Sequence, residues 1–344
     1  MCVCLEEESL TQIRHKFVTN YNCLVTSYAQ TRAGFVALAL EKNRRAIPFV
    51  EKAKTLKVLA SNAKEPADLI RFTKIRASLL TAAGVSDKAL NHLTEQDKDK
   101  AILGLIKNFL EPAGENFIDE LVYRFLLIRG DSMGGKMRNI AGALGEWRFT
   151  RTLISTLSVQ AKDFQYFHSD SQKWFRGNSY APDIEQKVKG LFWKKNGKSK
   201  TLVYNMKVPI INKNVDLCLL DCNPDGLKKS KKNCLIHDPE KYFALGEIKG
   251  GIDPAGADER WKTANSALER IRTGFQNSSS VPFTFFVGAA IEKEMAKEIF
   301  NRLKRGILAN AANLTNDNQL VDLCEWLIDL QGGSGKTVAK QHAS

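Results

Sequence analysis

Glu247 and Lys249 stand two positions apart at the end of the apolar run "KYFALGEIK", and Asp216 interrupts a second apolar run, "NVDLCLLD". In an extended strand, side chains two apart share a face. Phe243, Leu245, Glu247 and Lys249 are therefore predicted to point one way, the apolar pair into the core and the charged pair at the open end. A buried carboxylate without a partner is costly, so Glu247 needs a cation, and Lys249 meets only part of that need. If the two runs form neighbouring strands, Asp216 and Glu247 clamp one hard cation. Mg²⁺ binds in this way, through one or two carboxylates with waters and phosphate oxygens completing its shell. Such an ion polarises a phosphate and acidifies water. Lys249 would then hold the attacking water or stabilise charge developing at phosphorus. Asp221, on the same strand segment as Asp216, is the alternative ligand; its other reading is a turn residue in "DCNPDG".

These residues need a sheet to hold them. "TLVYNMKVPI", "NVDLCLLD", "KYFALGEIK" and "VPFTFFVGAAI" read as strands, being short, apolar and often β-branched. Helices are predicted from about Asp258 to Phe275 and over "EKEMAKEIFNRLKRGILANAANL". Strands followed by helix, strand and helix make an α/β sheet with helical cover. From about Val159 to Lys200 the chain reads as irregular, polar and basic, suited to long surface connections or to a hairpin touching DNA. Trp174, Phe175 and Trp193 in this stretch read as a satellite packing cluster rather than as base-stacking residues.

Upstream, residues from about Glu6 to Ile128 read as successive helices. One runs through Leu69, Phe72, Ile75 and Leu79 to Gly84, one starts at Thr94, and one over "NFIDELVYRFLLIRG" is closed by Gly130. "DSMGGKMRNIAGALGEWRFTRTLISTL" is predicted to open with a glycine-rich turn before becoming helical. The carboxy-terminal "GGSGKTVAKQHAS" reads as a flexible tail. Its "GSGKT" is not a phosphate loop, because Leu330 stands where the pattern wants glycine.

Composition narrows the class of partner. With 51 Lys and Arg against 38 Asp and Glu, the net charge of +13 favours a polyanion. No apolar run reaches the length of a membrane span, and seven scattered cysteines suit reduced thiols, so a cytoplasmic location is expected. Cys218, Cys222, Cys234 and His237 form only a loose zinc-like series, which a buried thiol in a leucine-rich strand explains as well.

An acid, a spacer of roughly thirty residues, then acid-x-lysine is the PD-(D/E)xK nuclease pattern. "FLLIRGDSMGGKMRNIAGALGEWRF" and "GEIKGGIDPAGADERWKTANSALERIR" go further: together they resemble the AvaI/BsoBI-type restriction endonucleases of that superfamily. The resemblance implies a PD-(D/E)xK restriction-endonuclease-like α/β (α+β) fold, a central mixed sheet flanked by helices with a helical amino-terminal region. It implies a homodimeric, Mg²⁺-dependent type II enzyme that cuts both strands of a partly degenerate palindrome, C-Y-C-G-R-G in that family. Asp216, Glu247 and Lys249 fall at its catalytic positions, with Asp216 and Glu247 as metal ligands. Lys213, Asp253 and Glu259 match positions used for base contacts. Lysine can donate to guanine, and Asp and Glu can accept from the cytosine amino group. Arg260 is also expected at the DNA, but it departs from the family, where a histidine near the attacking water is expected. Arginine cannot act as a base at neutral pH.

The expected organisation is a helical DNA-embracing and dimerising region over 1–128, a catalytic domain over 129–330, and a tail over 331–344. Double-stranded DNA is the expected partner. A cognate methyltransferase shares the target site and is not expected to bind. The competing reading is a sequence-specific DNA-binding protein, or an inactive nuclease relative, that does not cut. The literal "PD" at Pro182–Asp183 is read as a decoy, and Glu146 either as a further metal-site or orienting acid or as an ordinary helix-surface glutamate.

Overall fold

The computed structural model describes residues 16–160, 163–177, 181–227 and 234–330. The tail from Gly332 with its "GSGKT", and the "KKSKK" stretch at Lys228–Lys232 read as a solvated loop grazing phosphate, lie outside the described residues. By Cα proximity the chain divides into two compact units, Met1–Phe35 with Ala141–Ser344, and Val36–Ile140.

The elements run α1 (Tyr28–Ala60), α2 (Arg76–Ala82), α3 (Glu95–Leu105), α4 (Phe117–Val159), β1 (Phe164–His168), β2 (Lys173–Arg176), β3 (Val188–Lys195) and β4 (Lys198–Val208). They continue with β5 (Lys213–Leu220), β6 (Tyr242–Lys249), α5 (Ala257–Phe275), β7 (Phe283–Gly288), α6 (Lys293–Lys304), β8 (Asn310–Asn313) and α7 (Asp317–Asp329).

The unit over Val36–Ile140 is helical, with Leu56, Leu69, Leu79, Ile102, Leu110, Leu121 and Phe125 in its core. Thr94 begins α3 as predicted: its side chain accepts from the Asp97 amide while the Asp97 carboxylate accepts from the Thr94 amide. That reciprocal box satisfies two donors at the helix start.

Helix α4 corrects the expectation of a stop at Gly130 followed by a glycine-rich turn. It passes unbroken through Gly130, Gly134 and Gly135. Glycine weakens a helix by only about 1 kcal/mol, and no proline interrupts the run. Gly142 and Gly145, further along, have a packing role described below.

The second unit is built on one eight-stranded mixed sheet in the order β2-β1-β3-β4-β5-β6-β7-β8. Its pairs are antiparallel from β2 to β6 and parallel from β6 to β8. Three of these strands lie where the sequence read as irregular. The signal overlooked was "NG" at Asn196–Gly197: both residues have positive φ, 51° and 77°, as the tightest hairpin turn between right-twisted strands requires. Trp193 is fully buried in the main core rather than in a satellite cluster. Trp174 packs on Phe167 and Phe175 on Tyr166, with ring centroids 5.4 Å and 5.8 Å apart.

Each face of the sheet is covered. The end of α4 and α7 bring Phe149, Leu153, Leu323 and Leu327 onto one face, against Leu191, Leu217 and Phe285. Helices α5 and α6 bring Trp261, Leu268 and Ile299 onto the other, against Leu245 and Phe286. Among the described residues, no helix is long and apolar enough to cross a membrane.

Candidate active site

β5 and β6 run antiparallel, with Leu217 opposite Gly246. One step further, Asp216 and Glu247 stand opposite each other where the ladder ends. Instead of ladder bonds, the Asp216 side chain takes over: its Oδ2 accepts from the Ile248 amide at 3.1 Å and from Lys249 Nζ at 2.8 Å. Lys249 Nζ also donates to Glu247 Oε2 at 2.7 Å. The two carboxylates therefore converge on one ammonium, at the carboxyl end of the parallel trio β6-β7-β8, where open α/β sheets place their ligand sites.

One part of the strand reading is corrected. Phe243 does not share a face with Leu245, Glu247 and Lys249, because the register slips between Leu219 and Leu220, which oppose Ala244 and Tyr242. Phe243 is the extra residue of this bulge and turns into the opposite core. A bulge breaks period-two alternation, and only Leu245, Glu247 and Lys249 continue on one side.

The electrostatics follow from depth. Glu247 is 4% exposed. Burial first, and the charge of Asp216 second, push its carboxyl up to about 7, against the opposing pull of Lys249. Burial disfavours the Lys249 ammonium, but Glu247 and Asp216 outweigh it and hold its pKa above the usual lysine value.

The donor set tests well against a hard cation. Two carboxylates meet, one of them buried, where burial and the charge of its neighbour disfavour its ionised form and an added cation would favour it. Asp216 and Glu247 are the oxygen donors that would hold such an ion. Among the described residues no third His, Cys, Asp or Glu joins them, leaving the rest of the shell to waters and phosphate oxygens.

Asp221 does not reach this site. Its amide donates to Lys241 O, just before β6, and it stands five residues beyond Asp216, or about 16 Å along the strand. Asp183 lies outside any strand, with φ 54° before a short 3-10 turn. Glu146 pairs with Lys189 at 3.1 Å.

Lys213 begins β5 and is exposed. Asp253 is exposed in the loop after β6, its Oδ1 accepting from the Ala255 amide at 3.0 Å. Glu259 is exposed in the first turn of α5. Arg260 is turned back onto that loop, donating from Nη2 to Asp253 O. Among the described residues, no hydrogen bond or ion pair joins these four to Asp216, Glu247 or Lys249.

One residue at the site escaped sequence reasoning. Asn205 of β4 lies directly across from Asp216 in the β4–β5 register, has φ 48°, and accepts from Asn214 Nδ2 at 3.0 Å. A non-glycine residue at positive φ inside a strand is a marked outlier. The facing of both strands switches here. Leu202 and Tyr204 of β4, and Leu217 and Leu219 of β5, enter one core, whereas Met206, Val208 and Val215 meet the other. The only trace in sequence is a lone Asn within "LVYNMKV".

Comparison with known proteins places the chain in a family. The family described as restriction endonuclease BsobI matches residues 14–330. The chain is 55% identical over 307 residues to the type II restriction enzyme AvaI of Nostoc sp., covering 89% of this chain and 96% of that protein. It is 51% identical over 311 residues to the type II restriction enzyme BsoBI of Geobacillus stearothermophilus, covering 89% and 95%.

Proposed function

The chain belongs to the BsobI restriction endonuclease family, and from that premise we propose that it is a type II site-specific deoxyribonuclease that hydrolyses both strands of double-stranded DNA with Mg²⁺. The observation that carries the reading is the convergence of Asp216 and Glu247 on Lys249 at a strand end. Asp216 and Glu247 would hold the Mg²⁺, which when bound would supply Lewis-acid polarisation of the scissile phosphate and ease deprotonation of water.

The chain's own residues do the rest. Asp216 fixes the Lys249 ammonium and is itself tied down by the Ile248 amide. Lys249 presents a donor towards the non-bridging oxygen on which charge develops. Glu247 carries the negative charge that draws the cation into the site.

Lys213, Asp253 and Glu259 read base edges, as donor to guanine and as acceptors from cytosine. A C-Y-C-G-R-G-like palindrome is the target, and a two-fold homodimer matches its symmetry. The helical unit over Val36–Ile140 embraces the duplex and dimerises, and the unit built on the eight-stranded sheet cuts. The enzyme acts in the cytoplasm, beside a methyltransferase that shares the site without binding the chain.

The test is Glu247→Ala. Cleavage is expected to vanish while a gel shift in Ca²⁺ still shows specific binding. Cutting retained by that variant would remove Glu247 from the active site.

A further inference from the structure

The loop Gly250–Gly256 leaves β6 directly after Lys249 and carries Asp253 to the surface before α5 begins. Its first half is locked by backbone packing. A Cβ on Gly145 would lie 2.4 Å from Gly250 Cα, and one on Gly250 would lie 2.5 Å from Gly142 O. The buried Ile252 sits against Gly34, where a Cβ would come within 2.3 Å of its Cγ1. Beyond Ile252 this anchoring stops: residues 253–256 are all exposed, and the next buried side chain is Ala257.

Arg260 fills that gap. From the first turns of α5 its side chain folds back over the loop, Nη2 donating to Asp253 O and Nη1 lying 3.5 Å from Ala255 O. The guanidinium also covers two glycines. A Cβ on Gly251 would meet its Cζ at 3.3 Å, and one on Gly256, already at φ +84°, would meet Nη1 at 3.4 Å. Among the described residues no carboxylate pairs with Arg260. Its planar fork can span two carbonyls and lie flat on bare backbone together, which a lysine ammonium cannot do.

We propose that Arg260 is a positioning residue for base choice: it clamps the Gly250–Gly256 loop through the chain's own carbonyls, so that the Asp253 carboxylate is presented in one fixed orientation. The inference rests on the reading of Asp253 as a base contact. A carboxylate discriminates cytosine only when held within hydrogen-bond reach of its amino group, so a loosened loop loses discrimination before it loses rate. It also assigns a use to the arginine that stands where the family resemblance leads one to expect histidine, with no proton transfer asked of it.

The test uses full-length Arg260→Lys, which keeps the charge and removes the fork. Amide hydrogen exchange, measured without DNA, should be about tenfold faster at Ala255 and Ala257, consistent with loss of one charge-assisted hydrogen bond. With Mg²⁺ and short duplexes, the ratio of kcat/KM for the target over a duplex altered at one base pair should fall about tenfold at a single position. Unchanged exchange overturns the clamp, and faster exchange with an unchanged ratio overturns its role in base choice. Arg260→Ala supplies a further check: equal weakening on every duplex, with a salt slope smaller by about one, would make Arg260 a phosphate contact and overturn the proposal. Because exchange needs neither DNA nor cutting, its outcome stands apart from that of the nuclease reading, which fails only if the unaltered protein cuts nothing.

Discussion

Replacing Glu247 by glutamine should make the metal-free protein more stable at pH 8 and leave it unchanged at pH 4. Burial and Asp216 hold the Glu247 carboxyl at about 7 in the folded chain, against an ordinary value of 4.5. Below 4.5 both folded and unfolded chains keep the proton, so Glu247 costs nothing. Between 4.5 and 7 the unfolded chain ionises while the folded one resists, and stability drains away as pH rises; above 7 the loss is complete. At 1.36 kcal/mol per pH unit, the full penalty is about 3 kcal/mol, a large share of ordinary domain stability. Glutamine cannot ionise and escapes it, while its amide oxygen still accepts from Lys249. All five tryptophans, at 147, 174, 193, 261 and 326, lie in the unit that houses Glu247, so fluorescence-detected urea unfolding in EDTA reads the relevant unit. Stability curves of the two proteins should coincide at pH 4 and separate towards pH 8, with glutamine above. Parallel curves, or a gap that closes with rising pH, would refute the account of a carboxylate buried short of positive charge. Adding Mg²⁺ at pH 8 should raise the stability of the unaltered protein and not that of the variant.

Three further outcomes follow from the packing and from the loop. Gly145→Ala drives a Cβ to 2.4 Å from Gly250 Cα, backbone that cannot step aside, and should cost roughly 1–3 kcal/mol in a thermal melt and slow cleavage. Gly134→Ala, in the same helix with nothing within 4 Å, should be neutral or stabilise by about 0.5–1 kcal/mol. Asp253→Ala should relax or destroy sequence choice in an assay on single-base variants, and unchanged choice would deny it a base-reading role.

Much of this architecture is visible in the residues themselves. β5, β6 and β7 announce themselves because strands buried on both faces read as continuous apolar runs, and an acid embedded in such a run, as at Asp216 or Glu247, has few innocent explanations. What the residues conceal is register. That Asp216 stands across from Glu247 depends on the β5–β6 pairing, and the bulge that expels Phe243 from the shared face depends on a slip between Leu219 and Leu220. No periodicity within one strand encodes a pairing with another. β8 is Asn310–Asn313, "NAAN", without one β-branched or aromatic residue; its place beside β7 makes it a strand. Gly130, Gly134 and Gly135 mislead in the other direction, because a helix tolerates isolated glycines when nothing else stops it. Gly145 and Gly250 are the informative ones, marking two backbones in contact.

The most direct test of the central claim is digestion of phage DNA of known sequence, with and without Mg²⁺, with the ends of any fragments sequenced. Discrete, metal-dependent fragments are expected, with ends that define one C-Y-C-G-R-G-like palindrome. Intact DNA retained in a shifted complex would contradict it, leaving a DNA-binding protein in which Asp216, Glu247 and Lys249 only close the end of a sheet.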